Sequence, residues 1–208
     1  MPGEAHGHSS LSGALDGNGL AVCDGFLTPR QIDDLLACAH ARRERGEFAA
    51  ARIGAGAALR HRADLRGDSI RWFSEPLEAP ERDLLAAFER LRLQLNRDAW
   101  LGLFELELHY ACYPPGAGYA RHVDQPQGRG ERRVSAVLYL NRHWHPGDGG
   151  ELRIFAADEG FRDIEPQAGR LVVFLTEGCE HAVLAARRER WSVTGWFRGR
   201  EHHPAALR

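Results

Sequence analysis

The chain has 208 residues, 43% of them hydrophobic, with 27 basic and 29 acidic residues and a formal net charge of −2. This length and composition are typical of one globular domain with its own core. The near balance of charge argues against nucleic acid as the main partner, and the sequence shows no apolar run near the roughly 20 residues of a membrane-spanning helix.

Residues 1–19 are rich in Gly, Ser and His and are predicted to form a disordered tail. This segment lacks the basic start and the apolar stretch of a signal peptide. No two of the four cysteines have C-x-x-C spacing. We therefore expect reduced thiols in a cytoplasmic protein. One domain is predicted over residues 20–200, followed by a short tail over 201–208.

Two helices are predicted in the first half of the chain. Thr28-Pro29 is a favourable helix start, because Thr caps the first turn and Pro fits it, and Gly46 is a plausible end. The apolar face of the first helix consists of Ile32, Leu35, Leu36 and Ala39. A second helix, also with an apolar stripe, is predicted over residues 81–97.

From Phe104 onward the pattern changes to short apolar segments separated by Gly, Pro or Asn. Residues 105–108 alternate with period two, as a half-buried strand does. Helices followed by many short strands predict a mainly β fold with supporting α, a jelly-roll barrel braced by N-terminal helices. Further strands are predicted at residues 134–140, 151–155, 170–175, 180–184 and 190–198.

A metal site is predicted at His122, Asp124 and His181. His122 and Asp124 are two residues apart in an extended segment, so their side chains face the same side, and His181 comes from a later strand. Two histidines and one carboxylate leave three octahedral positions open, as in non-haem Fe(II) oxygenases. The spacing alone is weak evidence, because a surface-loop histidine and a hydrogen-bonded histidine at a sheet edge are alternatives.

An anion site is predicted at Arg190, nine residues after His181. If residues 180–184 and 190–198 form adjacent antiparallel strands, this arginine returns toward the metal. A guanidinium binds a carboxylate through two parallel hydrogen bonds, as the far end of an iron-chelating dicarboxylate requires. Thr194 and Tyr139 can add hydroxyl groups. The alternatives are that Arg190 is a solvated strand residue and that Tyr139 only packs in the core.

A series of motifs runs in consistent order from Leu65 to Phe197. They are LRGDSIRW at 65–72, CYP at 112–114, GYARHVDQP at 118–126, LYLN at 138–141, GGELRIF at 149–155, DIEP at 163–166 and the segment 181–196. With these motifs the chain resembles the prolyl hydroxylases related to the animal hypoxia-sensing enzymes, including their bacterial members.

The resemblance implies a double-stranded β-helix, or cupin-like, core with Fe(II) on His122, Asp124 and His181. It implies 2-oxoglutarate and O₂ as cosubstrates, ascorbate as a supporting cofactor, and hydroxylation of a prolyl residue at C4 with release of succinate and CO₂. The cosubstrate-binding residues that it implies are Arg190, Tyr139, Thr194, Tyr113 and Trp196.

The resemblance also implies a mobile loop over the substrate, which we place at residues 49–65. Arg66, Asp68 and Trp72 follow it, and we expect Asp68 to pair with Arg132 at the base of the loop. His109 stands where the animal enzymes carry an apolar residue, and we interpret it as a strand residue rather than as a fourth ligand.

The expected partner is a protein with a target proline, and a translation factor such as elongation factor Tu is the first candidate. Neither nucleic acid nor membrane is expected as a partner. Three alternatives stay open at this stage: an oxygenase of the same fold that acts on a free amino acid or another small molecule, a non-catalytic metal-binding jelly roll, and a zinc hydrolase on the same ligands.

Overall fold

Helix α1 (Pro29–Glu44) and helix α2 (Ala79–Ala99) form where apolar stripes were predicted. The computed structural model describes residues 15, 19–52, 62, 64–124, 131–156 and 159–200. Most of the predicted tails and of the predicted loop at 49–65 lie outside these residues, although Leu15 is buried against the core. Among the described residues, no helix has the length and apolarity that a membrane span requires.

The start of α1 follows from its sequence. The Thr28 backbone N–H donates to Gln31 Oε1 at 2.9 Å, and Gln31 N–H donates to Thr28 Oγ1 at 3.3 Å. This reciprocal cap satisfies N–H groups that have no partner inside the helix. The apolar faces of both helices, including Ile32, Leu35 and Phe88, pack in one core cluster with residues of the larger sheet.

Eleven strands are present in the described part of the chain. They are β1 (Leu20–Cys23), β2 (Ala49–Ala50), β3 (Ser69–Trp72), β4 (Leu103–Tyr113), β5 (Tyr119–His122), β6 (Arg132–Tyr139), β7 (Leu152–Phe155), β8 (Phe161–Ile164), β9 (Leu171–Leu175), β10 (His181–Val183) and β11 (Arg190–Gly199). The six predicted strands are all found. The other five, β1, β2, β3, β5 and β8, were not predicted and have four residues or fewer.

The strands form two antiparallel sheets. The larger has the order β1-β9-β6-β11-β4-β3-β2, and the smaller has the order β5-β10-β7-β8. A second core cluster joins residues of both sheets, among them Tyr139, Leu152 and Phe174. This two-sheet arrangement with supporting helices confirms the predicted jelly roll.

The predicted pairing of residues 180–184 with 190–198 is wrong. Strand β10 pairs with β5 and β7 in the smaller sheet, whereas β11 pairs with β4 and β6 in the larger one. The chain therefore crosses from one sheet to the other between Val183 and Arg190. Arg190 therefore approaches the space between the sheets from the larger sheet, and His181 approaches it from the smaller sheet.

A buried ion cluster joins the two helices to β3. Glu81, in the first turn of α2, is fully buried and accepts hydrogen bonds from Arg42 of α1 at 2.6 Å and from Arg71 of β3 at 3.4 Å. The Glu78 backbone N–H also donates to Glu81 at 2.8 Å. Because β3 lies beside β4, this cluster fixes the helices relative to the sheet that carries Arg190.

Candidate metal centre and its cavity

The three predicted ligands converge on one point. His122 ends β5 and pairs in register with His181 of β10, and Asp124 follows β5 by two residues. One ligand atom from each of the three lies within 4.8 Å of the others. His122 Nε2 is 3.5 Å from Asp124 Oδ1, and His181 Nε2 is 3.6 Å from Asp124 Oδ2. Two imidazole nitrogens and a carboxylate therefore surround a space suited to one metal ion.

Hydrogen bonds orient all three ligands. His122 Nδ1 lies 2.8 Å from Ala120 O, and His181 Nδ1 lies 3.1 Å from Cys179 O. A carbonyl can only accept, so each Nδ1 carries the proton and each Nε2 keeps its lone pair for a metal. Ser135 Oγ donates to Asp124 Oδ2 at 2.7 Å.

The charges at the centre also suit a cation. Burial alone raises the pKa of the Asp124 carboxyl, but its interactions with His122, His181 and the Ser135 hydroxyl outweigh burial and hold this pKa well below its usual value. Burial is the main cause that lowers the pKa of His181. Asp124 thus supplies a carboxylate and His181 a neutral imidazole, ligand types that fit Fe(II).

Tyr119, at the start of β5, lies against the metal centre. Its ring stacks on the His122 ring with centroids 3.5 Å apart, and the Arg66 guanidinium carbon lies 4.8 Å from the Tyr119 centroid. The backbone adjoining Arg66 also bonds to this strand, because Gly67 N–H donates to Gly118 O at 3.0 Å and Ala120 N–H donates to Leu65 O at 2.8 Å. Residues 65–67 therefore attach directly to the strand that carries His122.

The expected pair of Asp68 and Arg132 is wrong. Asp68 accepts two hydrogen bonds from Arg66, at 2.7 and 3.0 Å. Arg132 instead donates to Glu107 at 2.9 Å and to the Asp124 carbonyl at 3.4 Å, and its guanidinium carbon lies 3.6 Å from the Trp196 ring centroid. Arg66 is only two residues from Asp68 in the chain, and Glu107 lies on β4, which β11 separates from β6; complementary charge alone could not reveal these pairs.

A cavity opens beside the ligands. Arg190 lines it and is 1% exposed, with its Nε donating to Gly150 O at 2.8 Å. Gly150 has φ of +73°, and a Cβ there would lie 3.1 Å from Arg190 Cδ. A glycine is thus needed both for the turn and for the packing of the arginine.

The Arg190 end of the cavity is built for an anion. Tyr139 OH and Ser192 Oγ are buried and have no hydrogen-bond partner among the residues that the structure describes. The two residues pair in register on β6 and β11, and the Arg190 guanidinium carbon lies 5.0 Å from the Tyr139 centroid. Unpartnered buried hydroxyls are costly unless a ligand meets them. One guanidinium and two hydroxyls fit the distal carboxylate of 2-oxoglutarate.

The remaining predicted site residues are Thr194, Trp196, Tyr113 and Trp72. Thr194, Trp196 and Tyr113 all line the cavity, and Arg190 lies opposite Tyr113 in the β11–β4 register. Trp72 lies outside this lining, is 43% exposed, and contacts the His109 ring at a centroid distance of 4.7 Å.

Four residues around the centre had no predicted functional role. Ser192 and Ser135 were detectable in principle, because each is an even number of residues from Arg190 or Tyr139 and therefore shares its face. Tyr119 belongs to a quoted motif, but it is three residues from His122, a spacing that predicts opposite faces, and its stacking accompanies a register irregularity between β5 and β10. His109 lines the cavity with a buried Nδ1 that has no partner, and its neighbours come from two other strands.

Known proteins match both the sequence and this geometry. The sequence matches the 2OG-Fe(II) oxygenase superfamily over residues 108–198, a range that contains the three ligands and Arg190. Egl nine homolog 1 of Homo sapiens is 33% identical over 196 residues, which are 88% of this chain and 44% of that protein. Prolyl hydroxylase EGLN3 of Homo sapiens is 37% identical over 172 residues, which are 78% of this chain and 68% of that protein.

The chain spans about half the length of the Egl nine homolog 1 proteins that it matches, between 44% and 56% of each. Among solved structures, a Pseudomonas putida prolyl-4-hydroxylase is similar with a TM-score of 0.83 and 42% identity, over 92% of this chain and 98% of that one. A Trichoplax adhaerens prolyl hydroxylase, solved with a hypoxia inducible factor peptide fragment, has a TM-score of 0.81 and 27% identity, over 91% and 87% of the chains.

Proposed function

This chain belongs to the 2OG-Fe(II) oxygenase superfamily and is homologous to the Egl nine prolyl hydroxylases, and from this premise we propose that it hydroxylates a prolyl residue of a protein at C4. The reaction consumes 2-oxoglutarate and O₂ and releases succinate and CO₂. One observation carries the proposal. The His122, Asp124 and His181 centre shares a cavity with a buried Arg190, beside which lie two unpartnered hydroxyls.

The residues of the chain have separate tasks in this reaction. His122, Asp124 and His181 hold Fe(II), which supplies the oxidising chemistry together with 2-oxoglutarate and O₂. Arg190, Tyr139 and Ser192 bind the distal carboxylate, while Tyr113 and Thr194 line the space between the anchor and the metal. Because Arg190, Tyr139 and Ser192 are buried, this end of the site excludes most water, which strengthens the charge pairing.

A peptide substrate is supported by the Trichoplax adhaerens enzyme, whose structure contains a peptide fragment. A protein with an accessible proline, with elongation factor Tu as first candidate, is our proposed partner, and the cytoplasm is the proposed location. Ascorbate is a proposed supporting reductant. The assignments of partner, location and reductant rest on the family resemblance. The succinate assay with added peptides tests the assignment of a protein substrate.

The decisive test is succinate formation by the purified protein with Fe(II) and 2-oxoglutarate, in air and under nitrogen. Proline-containing peptides, including segments of elongation factor Tu, are supplied and analysed by mass for a gain of one oxygen atom. We expect oxygen-dependent succinate that a peptide increases and that His122→Ala abolishes. Metal binding without succinate under any condition would instead favour the non-catalytic or zinc alternative.

A further inference from the structure

Among the described residues, five buried side-chain atoms have no hydrogen-bond partner, and most of them belong to the cavity region. Tyr139 OH and Ser192 Oγ lie at the Arg190 end and are accounted for by the cosubstrate. Two more, His109 Nδ1 and Trp196 Nε1, come from residues that line the same cavity. His109 is 1% exposed and Trp196 is 5% exposed, so both nitrogens are withdrawn from solvent without compensation.

His109 and Trp196 form one wall of the cavity. Their rings stack with centroids 5.2 Å apart and planes inclined by 25°. Trp72 extends the wall outward, since its ring lies 4.7 Å from His109 and 6.0 Å from Trp196 and is 43% exposed. Three aromatic rings in mutual contact thus connect solvent with the two residues that carry the unpartnered nitrogens.

We propose that His109 Nδ1 and Trp196 Nε1 together bind a backbone amide oxygen of the peptide substrate and so select peptides over free amino acids. This inference rests on the proposed oxygenase function and names the substrate class for that site. An indole N–H can only donate, so the matching group must be an acceptor such as a carbonyl oxygen. A neutral imidazole supplies a second donor through the tautomer with a proton on Nδ1.

Two observations favour a neutral amide over a carboxylate. Burial, aided by the charge of Arg66, lowers the pKa of His109 to about 3, so the imidazole stays uncharged near neutral pH and offers no cation. Arg132 already lies against Trp196 and has Glu107 as its partner. This wall is therefore polar without a free positive charge, unlike the Arg190 end.

Position also separates this wall from the cosubstrate anchor. His109 lies on β4 opposite Thr194, with β3 on its other side, whereas Tyr139 and Ser192 lie on β6 and β11. A dicarboxylate held at Arg190 and at the metal already has partners for both ends. The exposed Trp72 ring contacts both His109 and Trp196, so these two rings lie on the Trp72 side of the cavity.

The test compares His109→Met, which removes the hydrogen bond at similar size, with His109→Gln, which keeps an amide that can donate. The probes are a library of blocked nine-residue peptides with a central proline, and L-proline. For each protein we measure the library concentration that gives half-maximal stimulation of succinate formation. A separate titration under nitrogen, with Mn(II) in place of Fe(II), measures the affinity for 2-oxoglutarate.

We expect His109→Met to raise the half-maximal library concentration about tenfold and His109→Gln to raise it by less than about threefold, as loss or retention of one hydrogen bond predicts. The affinity of both variants for 2-oxoglutarate should stay within about twofold of the original.

The inference is overturned if the variants respond to the library alike. It is also overturned if His109→Met mainly weakens 2-oxoglutarate binding, if L-proline stimulates as well as the library, or if succinate forms without any response to peptide. Absence of succinate from the unmodified protein would contradict the proposed function itself.

Discussion

Tyr119 lies flat against the metal ligand His122, with ring centroids 3.5 Å apart and planes inclined by 17°. Arg66 lies over the Tyr119 ring at 4.8 Å and is itself held by Asp68, whose side chain is fully buried. The imidazole therefore belongs to a stack of side chains that reaches the segment before β3. Such contacts restrict rotation of the His122 ring and keep it in the orientation that metal binding requires.

Removing the Tyr119 ring should weaken metal binding. We expect Tyr119→Leu to lower the affinity for Mn(II) about tenfold, because supporting contacts of metal-bound histidines typically contribute this much. Tyr119→Phe keeps the stack and loses only the hydroxyl, so its affinity should stay within about twofold. Isothermal titration of the metal into each purified apo-protein makes the measurement. Equal losses in the two variants would show that the hydroxyl, and not the stack, matters.

The Arg190 end should bind the distal carboxylate and nothing else of the cosubstrate. Arg190→Lys should lower the affinity for 2-oxoglutarate by about ten- to a hundredfold, since a charge-assisted, two-point bond is lost. Ser192→Ala and Tyr139→Phe should each lower it by about fivefold.

The control ligand is 2-oxobutyrate, which chelates a metal in the same way but lacks the distal carboxylate. Its affinity, measured under nitrogen with Mn(II), should hardly differ among these proteins. A parallel loss for both ligands would mean that the substitutions disturb the metal centre instead.

The buried cluster around Glu81 should matter for stability. Glu81→Gln removes the fully buried carboxylate that bonds Arg42 and Arg71 and leaves these arginines only the partly exposed Glu47, and we expect the free energy of unfolding to fall by about 3 kcal/mol. The matched control is Glu89→Gln, which breaks an exposed pair with Arg92 on the same helix and should cost less than about 1 kcal/mol. Urea denaturation gives both values, and similar losses would argue against a special role of burial.

His109 should make stability depend on pH. Its pKa falls from an ordinary 6.5 to about 3 through burial, so the folded protein binds fewer protons than the unfolded chain between these values. The contribution of His109 to the free energy of unfolding is therefore fully present above about pH 6.5 and is lost progressively as the pH falls toward 3.

Between pH 7.5 and pH 5, the original protein should therefore lose about 2 kcal/mol more unfolding free energy than His109→Met does. Urea denaturation of both apo-proteins at the two pH values measures this difference, in which the contributions of all other groups cancel. Identical pH dependence would show that the imidazole is not desolvated as the structure indicates.

The sequence by itself determined the two helices, six of the strands and the identity of the groups at the metal centre. These are local properties. Thr28-Pro29 caps a helix through atoms within one turn, and His122 and Asp124 share a side because backbone geometry repeats over two residues. The motif order from Leu65 to Phe197 also carried the family resemblance.

The tertiary structure alone decided which distant groups meet. Arg190 approaches from the larger sheet and His181 from the smaller one, because the crossing after Val183 separates strands that are neighbours in the chain. Asp68 pairs with Arg66 and Arg132 with Glu107, although charge alone permits other pairs. The unpartnered nitrogen of His109 is likewise invisible in the sequence, because whether a polar atom finds a partner depends on the strands packed around it.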